Sequence, residues 1–199
     1  MKPFLPFLLL PLVAAPSPRF AAEDKDVVQD FSKPLAAPWS VTSKTWKVEG
    51  GELRGTGDGA LDYAGPLGPD FTLTFRAKTS EKANVEVKLY DETGAKELYT
   101  FAFLGKYHSV LDGVKSCILK GERFVNVDPK TWIYPGRTFD LEVRRAKGQH
   151  QMFVNGALGP FFVDEAPPGG TQFRLKILVS CEGKDDAVVI DDVKIVAKK

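Results

Sequence analysis

Between Gly105 and Arg137 the chain concentrates side chains that can do chemistry: Tyr107, His108, Asp112, Glu122, Arg123, Asn126, Asp128, Trp132 and Tyr134. Aromatic faces pack against the C–H patches of sugar rings, while Asp, Asn, Arg and His bond their hydroxyls. Tyr107, His108, Asp112, Arg123, Asn126, Trp132 and Tyr134 are therefore the candidate ligand-binding residues. For Trp132 taken alone, capping a core beneath a long loop is the competing role. His108, Asp112 and Glu122 are the groups from which an acid–base centre would be drawn. Hydrolysis of a glycosidic bond needs two carboxyls, about 5 Å or about 6.5–9.5 Å apart. The other histidine, His150, sits in a hairpin strand and reads as solvent-facing.

Other chemistries lack their motifs. There is no G-x-S-x-G nucleophile elbow, no H-E-x-x-H and no paired-cysteine zinc spacing. Gly55, Gly57 and Gly59 open a loop, but no Lys-Ser/Thr follows and no helix opens after them, so a phosphate-binding loop is excluded.

The elements that must position these residues are strands. FTLTFRAK (71–78) puts Phe71, Leu73, Phe75 and Ala77 on one side and Thr72, Thr74, Arg76 and Lys78 on the other. VEVKL (85–89), FDLEVR (139–144) and FRLKILV (173–179) alternate in the same way. Successive strand side chains point to opposite faces, so these are half-buried antiparallel strands with one wet face. TWKVEGGELRGTG (45–57) reads as a hairpin turning at Gly50-Gly51, and Asn155-Gly156 is a strong hairpin signal. LYTFAFL (98–104), VKSCIL, RFVNV, HQMFV (150–154) and AVVIDDVKIV (187–196) supply further strands. In ALDYAGPLGPDF (60–71), Pro66 and Pro69 are expected to end regular structure. No segment of ten or more residues repeats at helical spacing. The expected fold is all-β: a two-sheet antiparallel β-sandwich with turns about every ten residues.

The 199 residues carry 27 Lys+Arg and 26 Asp+Glu, interleaved along the chain. That balance lacks the one-sided basic surface of a nucleic-acid binder. Residues 1–22 read as a secretory signal peptide: Lys2, an apolar stretch from Phe4 to Ala15, then small residues, with cleavage after Ala15 or Ala22 left open. Pro6 and Pro11 interrupt that stretch, which is too short to span a bilayer, and no second span follows. Residues 23–199 then form one exported domain, periplasmic or extracellular. Export permits a Cys117–Cys181 disulfide; two separate thiols are the alternative.

The order of motifs resembles a known group. Asp30-Phe31 is followed by W-x-V-x-x-G-x-L-x-G (Trp46, Val48, Gly51, Leu53, Gly55) and a D-F-x-L-x-F strand (Asp70 to Phe75). F-x-L-E-V leads to M-F-V-N-G (Phe139 to Gly156), and V-I-D-D-V-K-I (Val189 to Ile195) closes the chain. This is similar to concanavalin A-like lectin/glucanase jelly rolls, most of all to the 3-keto-disaccharide hydrolase type. The resemblance implies a jelly roll that binds a glycan or oligosaccharide at its concave face and through loop 105–137. It also implies one alternative, a glycoside or 3-keto-disaccharide hydrolase; a non-catalytic envelope interaction domain is the second alternative, apart from the resemblance. The E-x-D-x-(x)-E strand of family 16 glucanases is absent. Cofactors are not required on this reading. Jelly-roll binding modules often hold a structural Ca2+, for which Asp30 and Asp191 are the candidate ligands. The competing reading is a β-bulge at Asp191-Asp192, where the alternation slips.

Overall fold

The computed structural model describes residues 26–80, 83–103, 116–128, 130–131, 133–168, 170–181 and 183–197. Among these there is no helix. Fifteen strands run in chain order: β1 (Val27–Gln29), β2 (Trp39–Val41), β3 (Lys47–Glu49), β4 (Glu52–Thr56), β5 (Gly59–Leu67), β6 (Phe71–Thr79), β7 (Ala83–Tyr90) and β8 (Glu97–Phe103), then β9 (Ser116–Lys120), β10 (Arg123–Asp128), β11 (Thr138–Ala146), β12 (Gln149–Val154), β13 (Ala157–Val163), β14 (Phe173–Cys181) and β15 (Ala187–Ala197). They build two antiparallel sheets. One has eight strands, in the order β13-β12-β11-β6-β15-β4-β3, with β1 paired to β15. The other has seven, in the order β10-β9-β8-β7-β14-β5-β2. The architecture is an all-β jelly-roll sandwich.

Alternation decides what lies between the sheets. Phe71, Leu73, Phe75 and Ala77 of β6 are buried, as are Val85, Val87 and Leu89 of β7 and Leu175, Ile177 and Val179 of β14. Each fully buried large apolar side chain contributes about 1.5–3 kcal/mol. The even-numbered residues of β6, β7 and β14 face outward. Trp46 enters the same core, where its ring lies on Gly55 and Gly59. A Cβ at either glycine would fall inside that ring.

The structure decides three sequence readings. Pro66 does not end regular structure; it lies inside the nine-residue β5. The β5–β14 register shifts between Phe173 and Leu175, opposite Leu67 and Tyr63, so extra β5 residues bulge there. A bulge is where a strand tolerates a residue with no N–H to give. Cys117 and Cys181 are free thiols. They lie on β9 and β14, with β8 and β7 between them. Three strand spacings amount to roughly 14 Å, twice the ~7 Å limit for a bridge. Finally, the alternation slip at the end of the chain is a bulge: the β15–β6 register shifts between Asp191 and Lys194, and Asp192 takes φ 48.

Candidate functional site

The outer face of the seven-stranded sheet carries a cleft of about 430 Å³ over β7, β8, β9 and β10. Register builds it. One cross-strand row runs Asp62, Lys176, Lys88, Thr100, Leu119, Phe124. The next runs Leu178, Glu86, Ala102, Cys117, Val127. Strand period two puts both rows on the wet side.

The cleft has two halves of different chemistry. On β7 and β8, Lys88 Nζ lies 3.0 Å from Glu97 Oε2 and 3.4 Å from Glu86 Oε2. Thr100 Oγ1 donates to Glu97 Oε1 at 2.5 Å. Burial opposes the charge on Lys88, but the bond to Glu97 and the charge of Glu86 outweigh it and raise its pKa. Beyond Lys88, Lys176 Nζ lies 3.0 Å from Asp62 Oδ1 and 5.4 Å from the centre of the Tyr90 ring. Toward β9 and β10 the lining turns apolar: Ala102 at the end of β8, then Cys117, Leu119 and Phe124, the last 43% exposed. Burial, with Glu86 adding to it, pushes the Cys117 thiol up to about 12, so it serves here as a small apolar surface rather than a nucleophile.

The structure places the sequence candidates unevenly. Glu122 lines the cleft. Arg123 is exposed at the start of β10. Asn126 instead ties the two sheets at their shared edge, where its Nδ2 donates to the Phe161 carbonyl at 2.7 Å. Tyr134 stacks on Phe139 of β11, centroids 6.3 Å apart, and does not line the cleft. Tyr107, His108, Asp112 and Trp132 lie outside the described residues. Glu86, Lys88, Glu97 and Thr100 were not among the candidates. Their signal was the polar positions of VEVKL and LYTFAFL, with Glu97 directly before the latter, but only register shows that they meet.

The calcium candidates each have another partner. Asp30 Oδ1 accepts from the backbone N–H and hydroxyl of Ser32 at 3.0 and 2.7 Å, and these bonds lower its pKa. Asp191 and Asp192 both meet Arg76 NH2, at 2.5 and 2.7 Å. A guanidinium therefore stands where the cation was expected. Among the described residues, no group of three or more His, Cys, Asp or Glu could hold a metal ion. Two carboxylates sharing an arginine do not make the six to eight oxygens calcium takes.

His150 is also corrected. It is completely buried, because β12 turns His150, Met152 and Val154 to the core together. Its ring lies 4.2 Å from that of Tyr99 and 5.8 Å from that of Phe162, and neither ring nitrogen has a hydrogen-bond partner. Nearby, Asp164 accepts from the Tyr99 hydroxyl and pairs with Lys120 at 2.7 Å, while Arg145 NH1 donates to the Pro69 carbonyl. This buried charged cluster sits directly behind the cleft, on the inner side of β8 and β9.

No family model matches the chain, and no curated protein matches it. Solved structures do match in fold. The carbohydrate recognition domain of Emp47p aligns with TM-score 0.68 at 8% identity, covering 89% of this chain and 97% of that one. A laminarinase from Flavobacterium sp. UMI-01 aligns with TM-score 0.64 at 12% identity, over 85% and 98%. A sialidase aligns with TM-score 0.60 at 15% identity; the match covers 81% of this chain but only 17% of the sialidase. These likenesses show a concanavalin A-like β-sandwich. Among the described residues, no helix is long and apolar enough to cross a membrane.

Proposed function

We propose that this is an exported glycan-binding domain whose ligand lies in the cleft over β7–β10. One observation carries the reading: half of the cleft is a hydrogen-bonding charged network and the other half is apolar. A sugar presents hydroxyls and C–H patches within one ring, and so needs both kinds of surface side by side. Glu86, Glu97 and Thr100 would take hydroxyls while Phe124 and Leu119 pack against a ring face. The cleft volume of about 430 Å³ lies within the range of small-ligand sites. The carbohydrate recognition domain and the laminarinase of like fold support the ligand class. The apolar leader at 1–22 supports export. Within the 105–137 stretch, Cys117, Leu119, Glu122 and Phe124 are on the lining.

A hydrolase is the second reading, favoured by three carboxylates (Glu86, Glu97 and Glu122) on one cleft. Against it, Glu86 and Glu97 are both engaged as ion-pair partners of Lys88. Glycoside hydrolysis also needs one carboxyl free to donate a proton.

Calorimetric titration of the purified chain with glycans chosen from an array tests the binding. Lys88→Met and Phe124→Ala should each weaken binding by roughly tenfold or more while the fold persists. Failure to bind any glycan overturns the reading. Release of reducing sugar or keto-sugar, lost in Glu97→Gln, would replace it with the hydrolase.

A further inference from the structure

The outer face of the eight-stranded sheet has a cleft of its own, also about 430 Å³, on the far side of the sandwich from the first. Its centre is a cross-strand row that pairs Lys47 with Arg54, Arg54 with Val189, Val189 with Lys78 and Lys78 with Thr138. The row holds three cations and no carboxylate. Lys47 and Arg54 face each other on neighbouring strands, each beside a glutamate of its own strand: Lys47 pairs with Glu49 and Arg54 with Glu52, both at 2.5 Å. Arg54 and Lys78 stand one strand to either side of Val189, about 10 Å apart at their backbones. Val189 and Ala187 form an apolar floor between them, and Ser80, Gly136 and Thr138 line one end.

The carboxylates on the lining are already engaged. Glu52 bonds Arg54 NH2 at 2.5 Å, and Asp191 bonds Arg76 NH2 at 2.5 Å. Both contacts use one nitrogen of each guanidinium, whereas a guanidinium has five N–H donors in a fork suited to carboxylate or sulfate oxygens. Among the described residues, Lys78 is exposed and has no carboxylate partner. The cleft thus offers donors from two arginines and a lysine over a small apolar floor. An oxyanion attached to a ring-sized body would use all of these.

We infer that this face holds a second binding cleft, for the carboxylate or sulfate group of an acidic saccharide residue, gripped between Arg54 and Lys78 above Val189. Recognition of the oxyanion stands on the geometry alone; the saccharide body rests on the glycan reading above.

The probes are glucuronate, glucose 6-sulfate and glucose, titrated against the full chain at low ionic strength. Glucuronate, glucose 6-sulfate or both should bind at least roughly tenfold more tightly than glucose. Added salt should weaken that binding, because the groups are partly exposed. Lys78→Glu should abolish it. Glu52→Gln should tighten it, since the competing carboxylate is gone. Preference for one acidic probe identifies the group as carboxylate or sulfate. Equal binding of glucose, failure of both acidic probes, or wild-type binding by folded Lys78→Glu overturns the inference. Lys88→Met changes only the first cleft and should leave glucuronate binding intact. Loss of neutral-glycan binding there and loss of acid binding here are therefore read separately.

Discussion

Replacing His150 by leucine should remove most of one component of this protein's acid sensitivity. The imidazole is fully buried among Tyr99, Phe101 and Phe162 with no hydrogen-bond partner. Burial first, and the Arg145 charge second, push its pKa down to about 4, against a smaller opposing pull from Asp164. In the unfolded chain the ring titrates near its ordinary value of about 6.5. Between those two values the unfolded chain binds a proton that the folded chain refuses. Stability is therefore full above pH about 6.5 and falls as the pH drops, by up to about 1.4 kcal/mol per pH unit. The total near pH 4 is about 3 kcal/mol, a large share of a typical 5–15 kcal/mol folding free energy. Leucine has a similar volume, makes no charge and leaves no unpaired nitrogen. At pH 7 it loses ring stacking of about 0.5–1.5 kcal/mol but also removes two buried nitrogens without partners. Urea unfolding of both proteins at pH 7, 5.5 and 4.5 gives the comparison. The stability difference should shift toward the variant by about 2–3 kcal/mol between the first and last pH. Groups such as Asp164 are present in both proteins and largely cancel. Parallel pH profiles for the two proteins would refute the reasoning.

Two further outcomes follow from the fold. Gly55→Ala forces a methyl into the Trp46 ring and should lower stability by about 1–3 kcal/mol, read as a lower urea midpoint at unchanged slope; an unchanged midpoint would mean the ring moves aside freely. Thiol titration without reductant should find two thiols per unfolded chain and slow reaction in the native state, because burial pushes Cys117 up to about 12 and Cys181 up to about 11; finding none would show a bridge.

Much of the sandwich was legible because burial on one face writes itself as period two. FTLTFRAK, VEVKL and FRLKILV declare which residues lie inside, and β6, β7 and β14 obey. The same rule carried more than was drawn from it. In TFDLEVRR, Arg145 continues the Phe139, Leu141, Val143 face, and in HQMFV, His150 shares a side with Met152 and Val154. Both polar residues are buried in the structure. Polarity argued for solvent, while register decided for the core. Pro66 misled in the opposite direction, since a bulge accommodates it within β5. The first cleft was harder to foresee. Glu86, Thr100 and Phe124 are far apart in sequence and become neighbours only through pairings that no local pattern fixes. The partner of Asp191 and Asp192 was out of view for a related reason: Arg76 comes from a strand more than a hundred residues earlier.

Strands β8 and β9 divide two opposite environments at the thickness of one backbone. Thr100 and Ala102 face the cleft while Tyr99 and Phe101 clasp the histidine; Leu119 lines the cleft while Lys120 serves the interior ion pair. Anyone redesigning selectivity in this part of the molecule has alternate positions at their disposal and no others. A single-residue insertion in β8 would exchange the two sets, sending threonine inward and tyrosine out, and would dismantle the recognition surface and its foundation together.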